Sequence, residues 1–147
     1  MPGQHEHSDD SGIASPNLIG PYQALSAFTA GLVLLQAGLA GHGLYMGNQD
    51  YFDYHEIVGM LFLVSLLVQI AITWLLTNPG YWRRHLLIQN GLILILSLLL
   101  MWLGYKASDS NRAGAWHITL AVFIFGYASG VFSHAWGFGK PSWAKNI

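Results

Sequence analysis

The sequence predicts an all-α integral membrane protein folded as an up-down bundle of four transmembrane helices. Three observations predict it. Only 9% of the 147 residues are charged, while 53% are hydrophobic. Average soluble domains carry about 25% charged residues, so this chain has too few to cover a water-facing surface. The apolar residues fall into four long blocks, and the connections between the blocks are short. Short links force neighbouring spans to run antiparallel.

Residues 1–23 form a polar tail, MPGQHEHSDDSGIASPNLIGPYQ. It lacks a basic start, an apolar run and a small-residue cleavage site, so it is not expected to be a signal peptide. Its Gly, Pro, Ser and Asp content disfavours a packed structure of its own. Residues 24–137 carry the bundle. The blocks run from Leu25 to Met46, His55 to Leu76, Leu86 to Gly104 and Trp116 to Trp136. Each is about 20 residues, enough to cross a hydrocarbon core of about 30 Å at about 1.5 Å per residue. Glu56 is the only Asp, Glu, Lys or Arg inside them. Asn78-Pro79-Gly80 is a helix stop between the second and third blocks. Residues 138–147 form a second short tail.

Basic residues set the expected orientation. Arg83, Arg84, Lys140 and Lys145 lie on the side shared by both termini, against Lys106 and Arg112 on the other. The positive-inside rule therefore places both termini in the cytoplasm, and the bundle is expected in the plasma membrane. Tyr45, Tyr51, Tyr54, Trp102, Tyr105 and Trp116 mark the outer boundary. Trp74, Tyr81, Trp82 and Trp136 mark the inner one, as in an aromatic belt.

Several functions are excluded at this level. The near balance of six basic and seven acidic residues argues against nucleic-acid binding. The absence of cysteine removes disulfides, thiolate metal sites and thiol nucleophiles. Clustered His and carboxylate ligands of the zinc type are missing. So are the serine, lysine and phosphate-loop motifs of hydrolysis or nucleotide binding. A stand-alone enzyme is therefore less expected than an electron-transfer or accessory subunit working with other membrane proteins.

Seven histidines remain as ligand residues. His5 and His7 sit in the tail and receive no role. His42, His55 and His117 gather at the outer ends of the predicted helices, and His85 and His134 at the inner ends. His55 and His117 open helices that run in the same direction, so they share a depth. In an up-down bundle these helices are diagonal. Two facing imidazoles suit the two axial positions of a heme iron. Gly59 follows His55 by four residues and Ala121 follows His117 by four, which puts a small residue on the same face as each ligand. Gly38 before His42 and Gly130 before His134 mirror the spacing. His42 is a replacement ligand or a supporting group, and His85 with His134 a second, inner pair. The opposing reading is that interfacial histidines bond loop carbonyls and that small residues serve close helix packing. Gln36, Gln69, Gln89 and Asn90 read as interhelical hydrogen-bonding groups, with quinone contact as the sharper alternative.

Asp53-Tyr54-His55-Glu56-Ile57-Val58-Gly59 opens one helix, and Trp116-His117-Ile118-Thr119-Leu120-Ala121 opens another after Leu103-Gly104 and a polar loop. Over residues 25–136 this resembles a four-helix half of the heme A synthase family, and also a group of uncharacterised small bacterial four-helix membrane proteins. The resemblance implies that His55 and His117 bind heme near the outer face. The family pattern carries a Glu three residues before the first His, where this sequence has Phe52. Family members usually carry two such halves, and here there is one. The resemblance thus implies heme binding more than synthase chemistry. The expected function is a heme b-binding electron-transfer subunit of a larger membrane complex. The alternative is an accessory subunit of a respiratory or photosynthetic complex, with bound (bacterio)chlorophyll or with no cofactor.

Overall fold

The computed structural model describes residues 15–77 and 81–137. Four α-helices follow a short 3-10 turn at Pro16–Leu18: α1 (Ile19–Met46), α2 (Gln49–Leu76), α3 (Tyr81–Ala107) and α4 (Asn111–Trp136). All four are long and apolar enough to cross a membrane, and the chain is a multi-pass membrane protein with an all-α four-helix fold. The tail residues 1–14 and 138–147 and the Asn78-Pro79-Gly80 stop lie outside the described residues.

The helices begin earlier than their apolar blocks. Hydropathy sees only the part of a helix that meets hydrocarbon, whereas backbone hydrogen bonds and caps continue it into the polar interface. The side chain of Asn48 accepts from the Asp50 N–H at 2.9 Å and starts α2. Ser110 caps α4 by accepting from the Ala113 N–H at 3.5 Å. Gly47, at φ 62°, closes α1 through its N–H to the Gly43 carbonyl, a left-handed conformation that glycine adopts without a Cβ penalty. At the other end, α1 reaches back to Ile19, into the region expected to be tail. Pro21 is tolerated there because first-turn N–H groups have no helical partner.

The helices form a square. α1 packs on α2 and α4, and α3 packs on α4 and α2, while the diagonal backbones stay more than 8 Å apart. One end of the square carries the α1–α2 and α3–α4 loops. The other carries the end of α2, the start of α3, the N-terminal end of α1 and the C-terminal end of α4. These are called the loop end and the termini end below.

What faces inward is a mixture. Leu32, Phe62, Leu66, Ile93, Ile124, Ala128 and Val131 form one apolar core cluster. Towards the termini end the interior is polar and internally bonded. Thr29 Oγ1 lies 3.0 Å from Ser65 Oγ and donates to Gln69 Oε1 at 3.2 Å. Gln69 Nε2 donates to Asn90 Oδ1 at 3.0 Å. Asn90 Nδ2 lies 3.4 Å from both the Tyr22 hydroxyl and Thr73 Oγ1. Three helices are thus joined by one chain of hydrogen bonds. With no water in the bilayer core, helix association draws on packing and on bonds of this kind. Tyr22 is fully buried and its hydroxyl belongs to this chain, which explains why α1 extends beyond its apolar block. Large apolar side chains such as Leu35, Leu67, Leu75, Ile95 and Val122 point outward, toward lipid. Tyr45, Tyr54, Trp74, Trp102, Tyr105, Trp116 and Trp136 are also exposed, close to the helix ends.

Candidate functional site at the loop end

His55 is the seventh residue of α2 and His117 the seventh of α4. The expectation that each sits in the first turn is corrected by one turn, because Asn48 and Ser110 start both helices early. The correction is equal on the two helices, so the shared depth survives. Although α2 and α4 are diagonal, the two imidazoles meet across the bundle. Their ring centres are 6.1 Å apart and their planes are inclined by 58°.

Each ring is tethered at one nitrogen. His55 Nδ1 lies 3.0 Å from the Gln36 carbonyl oxygen on α1. His117 Nδ1 lies 2.9 Å from the Leu100 carbonyl oxygen on α3. A carbonyl oxygen can only accept, so each Nδ1 carries the proton and each Nε2 keeps its lone pair. Among the described residues neither Nε2 has a hydrogen-bond partner. An N–H tethered to a carbonyl fixes ring orientation and raises the basicity of the opposite nitrogen, as in metal-ligating histidines generally. A line of imidazole, metal and imidazole separates the ring centres by about 6 Å, since each metal–nitrogen bond is about 2 Å and each ring centre lies about 1 Å beyond its nitrogen.

The supporting residues are in part those the sequence singled out. Gln36 bonds twice to the same segment: its carbonyl holds the His55 ring, and its Nε2 donates to the His55 carbonyl at 2.8 Å. A Cβ on Gly59 would come within 2.8 Å of that Nε2. Gly59 therefore admits the Gln36 amide, and the space expected there for a macrocycle is filled by protein. Gly104 was legible only as a helix end. A Cβ there would lie 3.0 Å from His117 Cε1, so its missing side chain lets the His117 ring lie against α3. Ala121 is half-buried one turn below His117. Phe52 packs its ring against Gly43, an apolar contact.

His42 stands apart from the pair. It is exposed, and its ring lies 5.6 Å from the ring of Tyr51. Glu56 accepts from the exposed Tyr105 hydroxyl at 3.0 Å, linking α2 to α3 at the surface. At the termini end the rings of His85 and His134 are also 6.1 Å apart, inclined by 62°. These two come from adjacent helices, α3 and α4. Of the four amides the sequence singled out, Gln36, Gln69 and Asn90 are bonded between helices. The Gln89 side-chain oxygen is buried and has no partner among the described residues. Within the described residues no three or more His, Cys, Asp or Glu gather as a metal cluster, so each His pair offers two donors. No family model, curated protein or solved structure matches the chain.

Proposed function

We propose that the chain is a heme b-binding protein of the plasma membrane, with His55 and His117 as axial ligands, acting as an electron-transfer subunit of a larger membrane complex. One observation carries this reading. Two imidazoles from diagonal helices meet at equal depth at 6.1 Å, each with Nδ1 on a backbone carbonyl and Nε2 available to iron. A bound heme supplies one-electron chemistry, and bis-His ligation is a known mode of holding it.

The protein's own residues have separate parts in this reading. The Gln36 and Leu100 carbonyls orient the two rings. Gly104 makes room for the His117 ring. The apolar bundle interior below the two rings would tune the potential of a bound heme. The resemblance of the His55 and His117 segments to a heme A synthase half would favour heme binding. Phe52 at the Glu position argues against synthase chemistry. Arg83 and Arg84 at the termini end, together with Lys140 and Lys145 in the sequence after α4, support cytoplasmic termini, which would put the His55–His117 pair toward the opposite face. Electrons would come from other membrane subunits or a quinone.

A second reading is favoured by the Gln36 amide that fills the space beside Gly59 and by the internally bonded polar core. In it the chain is an accessory subunit held together by its own hydrogen bonds, with no cofactor or with a (bacterio)chlorophyll on a single histidine. The visible spectrum of the protein purified from native membranes separates the two. A reduced-minus-oxidised α-band supports the first reading. A colourless protein, or a far-red band, supports the second.

A further inference from the structure

We infer that His85 and His134 form a second axial pair for a metalloporphyrin at the termini end, so that the chain holds two such groups, one near each membrane face. The inference extends the proposed function to a separate site and rests on three observations there.

The first is spacing. Two ring centres 6.1 Å apart with planes inclined by 62° repeat the loop-end geometry, 6.1 Å and 58°, to within a few degrees. Here the rings belong to adjacent helices, whereas at the loop end they belong to diagonal ones.

The second is an unpaired acceptor. Gln89 lies one turn from His85 on the same face of α3, and its side-chain oxygen is buried without a partner among the described residues. Buried acceptors are satisfied in nearly all proteins, so an orphan points to a missing donor. An ordered water at the macrocycle rim would supply one.

The third is space. α3 and α4 run antiparallel, so with His85 level with His134, Gln89 is level with Gly130. Gly130 is exposed and nothing approaches within 4 Å of where its Cβ would stand, so this face is open toward the lipid side. The corresponding small residue at the loop end, Gly59, is already filled by Gln36. His134 itself is exposed and His85 half-buried, which leaves a macrocycle a lateral route from the lipid side. His117 and His134 are seventeen residues apart on α4, so the two sites stand about 25 Å apart along the membrane normal. That places them at opposite faces of a core of about 30 Å.

Heme content per chain, combined with a potentiometric titration of the full-length protein in detergent, tests the inference. The expected result is two hemes per chain and two redox components. His85→Ala and His134→Ala should each remove one heme and one component. Gly130→Leu, which keeps both ligands but fills the space, should do the same. In all three variants the remaining spectrum of the His55–His117 site reports that the bundle is folded. One heme per chain, unchanged in these variants, would overturn the second site and leave the first standing. No heme at all would overturn both.

Discussion

The two ends of the bundle carry the same pair of residues in different settings. At the loop end the histidines reach across the diagonal, each ring is tethered to a carbonyl of a third or fourth helix, and glycines 59 and 104 are occupied by neighbouring groups. At the termini end the histidines sit on adjacent helices, beside an unbonded amide oxygen and an open glycine. The loop-end site is thus preorganised by protein, and the termini-end site has room left to fill. Ring spacing alone does not distinguish them. The space beside the rings does, and that depends on which residue types stand one turn away.

The strongest break in this comparison is loss of a ligand. His55→Ala and His117→Ala should each abolish the low-spin bis-His absorption of the loop-end site, read in difference spectra. Next in size is Gly104→Leu. A branched side chain entering the contact with His117 forces either the ring or α3 to move, and overpacking of this kind costs about 1–3 kcal/mol. Denaturant or detergent titration should show that loss together with a disturbed loop-end spectrum.

Asn90→Leu sharpens the comparison from the other side. It removes the donor to Tyr22 and Thr73 and the acceptor for Gln69. Interhelical hydrogen bonds in membranes average about 0.6 kcal/mol each, so a loss of about 1–2 kcal/mol is expected in the same titration. The loop-end spectrum should stay as it was, because the network lies toward the termini end. Gln69→Leu should lose a similar amount, and the double variant less than the sum, since both residues serve one chain of bonds. Tyr105→Phe should matter least. Its bond to Glu56 is exposed, and such surface changes stay within about 0.5 kcal/mol.

The helix count, the ends of α1, α2 and α4, and the meeting of His55 with His117 across the diagonal were legible in the sequence. Helix length and the direction of successive spans are enough to give all three. The starts of the helices were not, because caps such as Asn48 and Ser110 act outside the apolar windows. The inward faces were also hard to read. Residues 86, 90, 93 and 97 of α3 have helical spacing, yet two of these buried positions are Asn90 and Ser97. In lipid, leucine is as comfortable outside as inside, so hydropathy carries no inward signal, and small or polar residues mark the interior instead. Gly104 and Gln36 illustrate the remaining gap. Their importance lies in which ring or carbonyl they meet on another helix, and neither spacing nor composition encodes that.

The central claim is that His55 and His117 hold a heme between them. The most direct measurement is the reduced-minus-oxidised visible spectrum of the protein purified from its native membrane, beside those of His55→Ala and His117→Ala. The account predicts a b-type α-band in the parent protein and loss of the loop-end component in each variant. A colourless parent protein, or a spectrum unchanged in both variants, would contradict it.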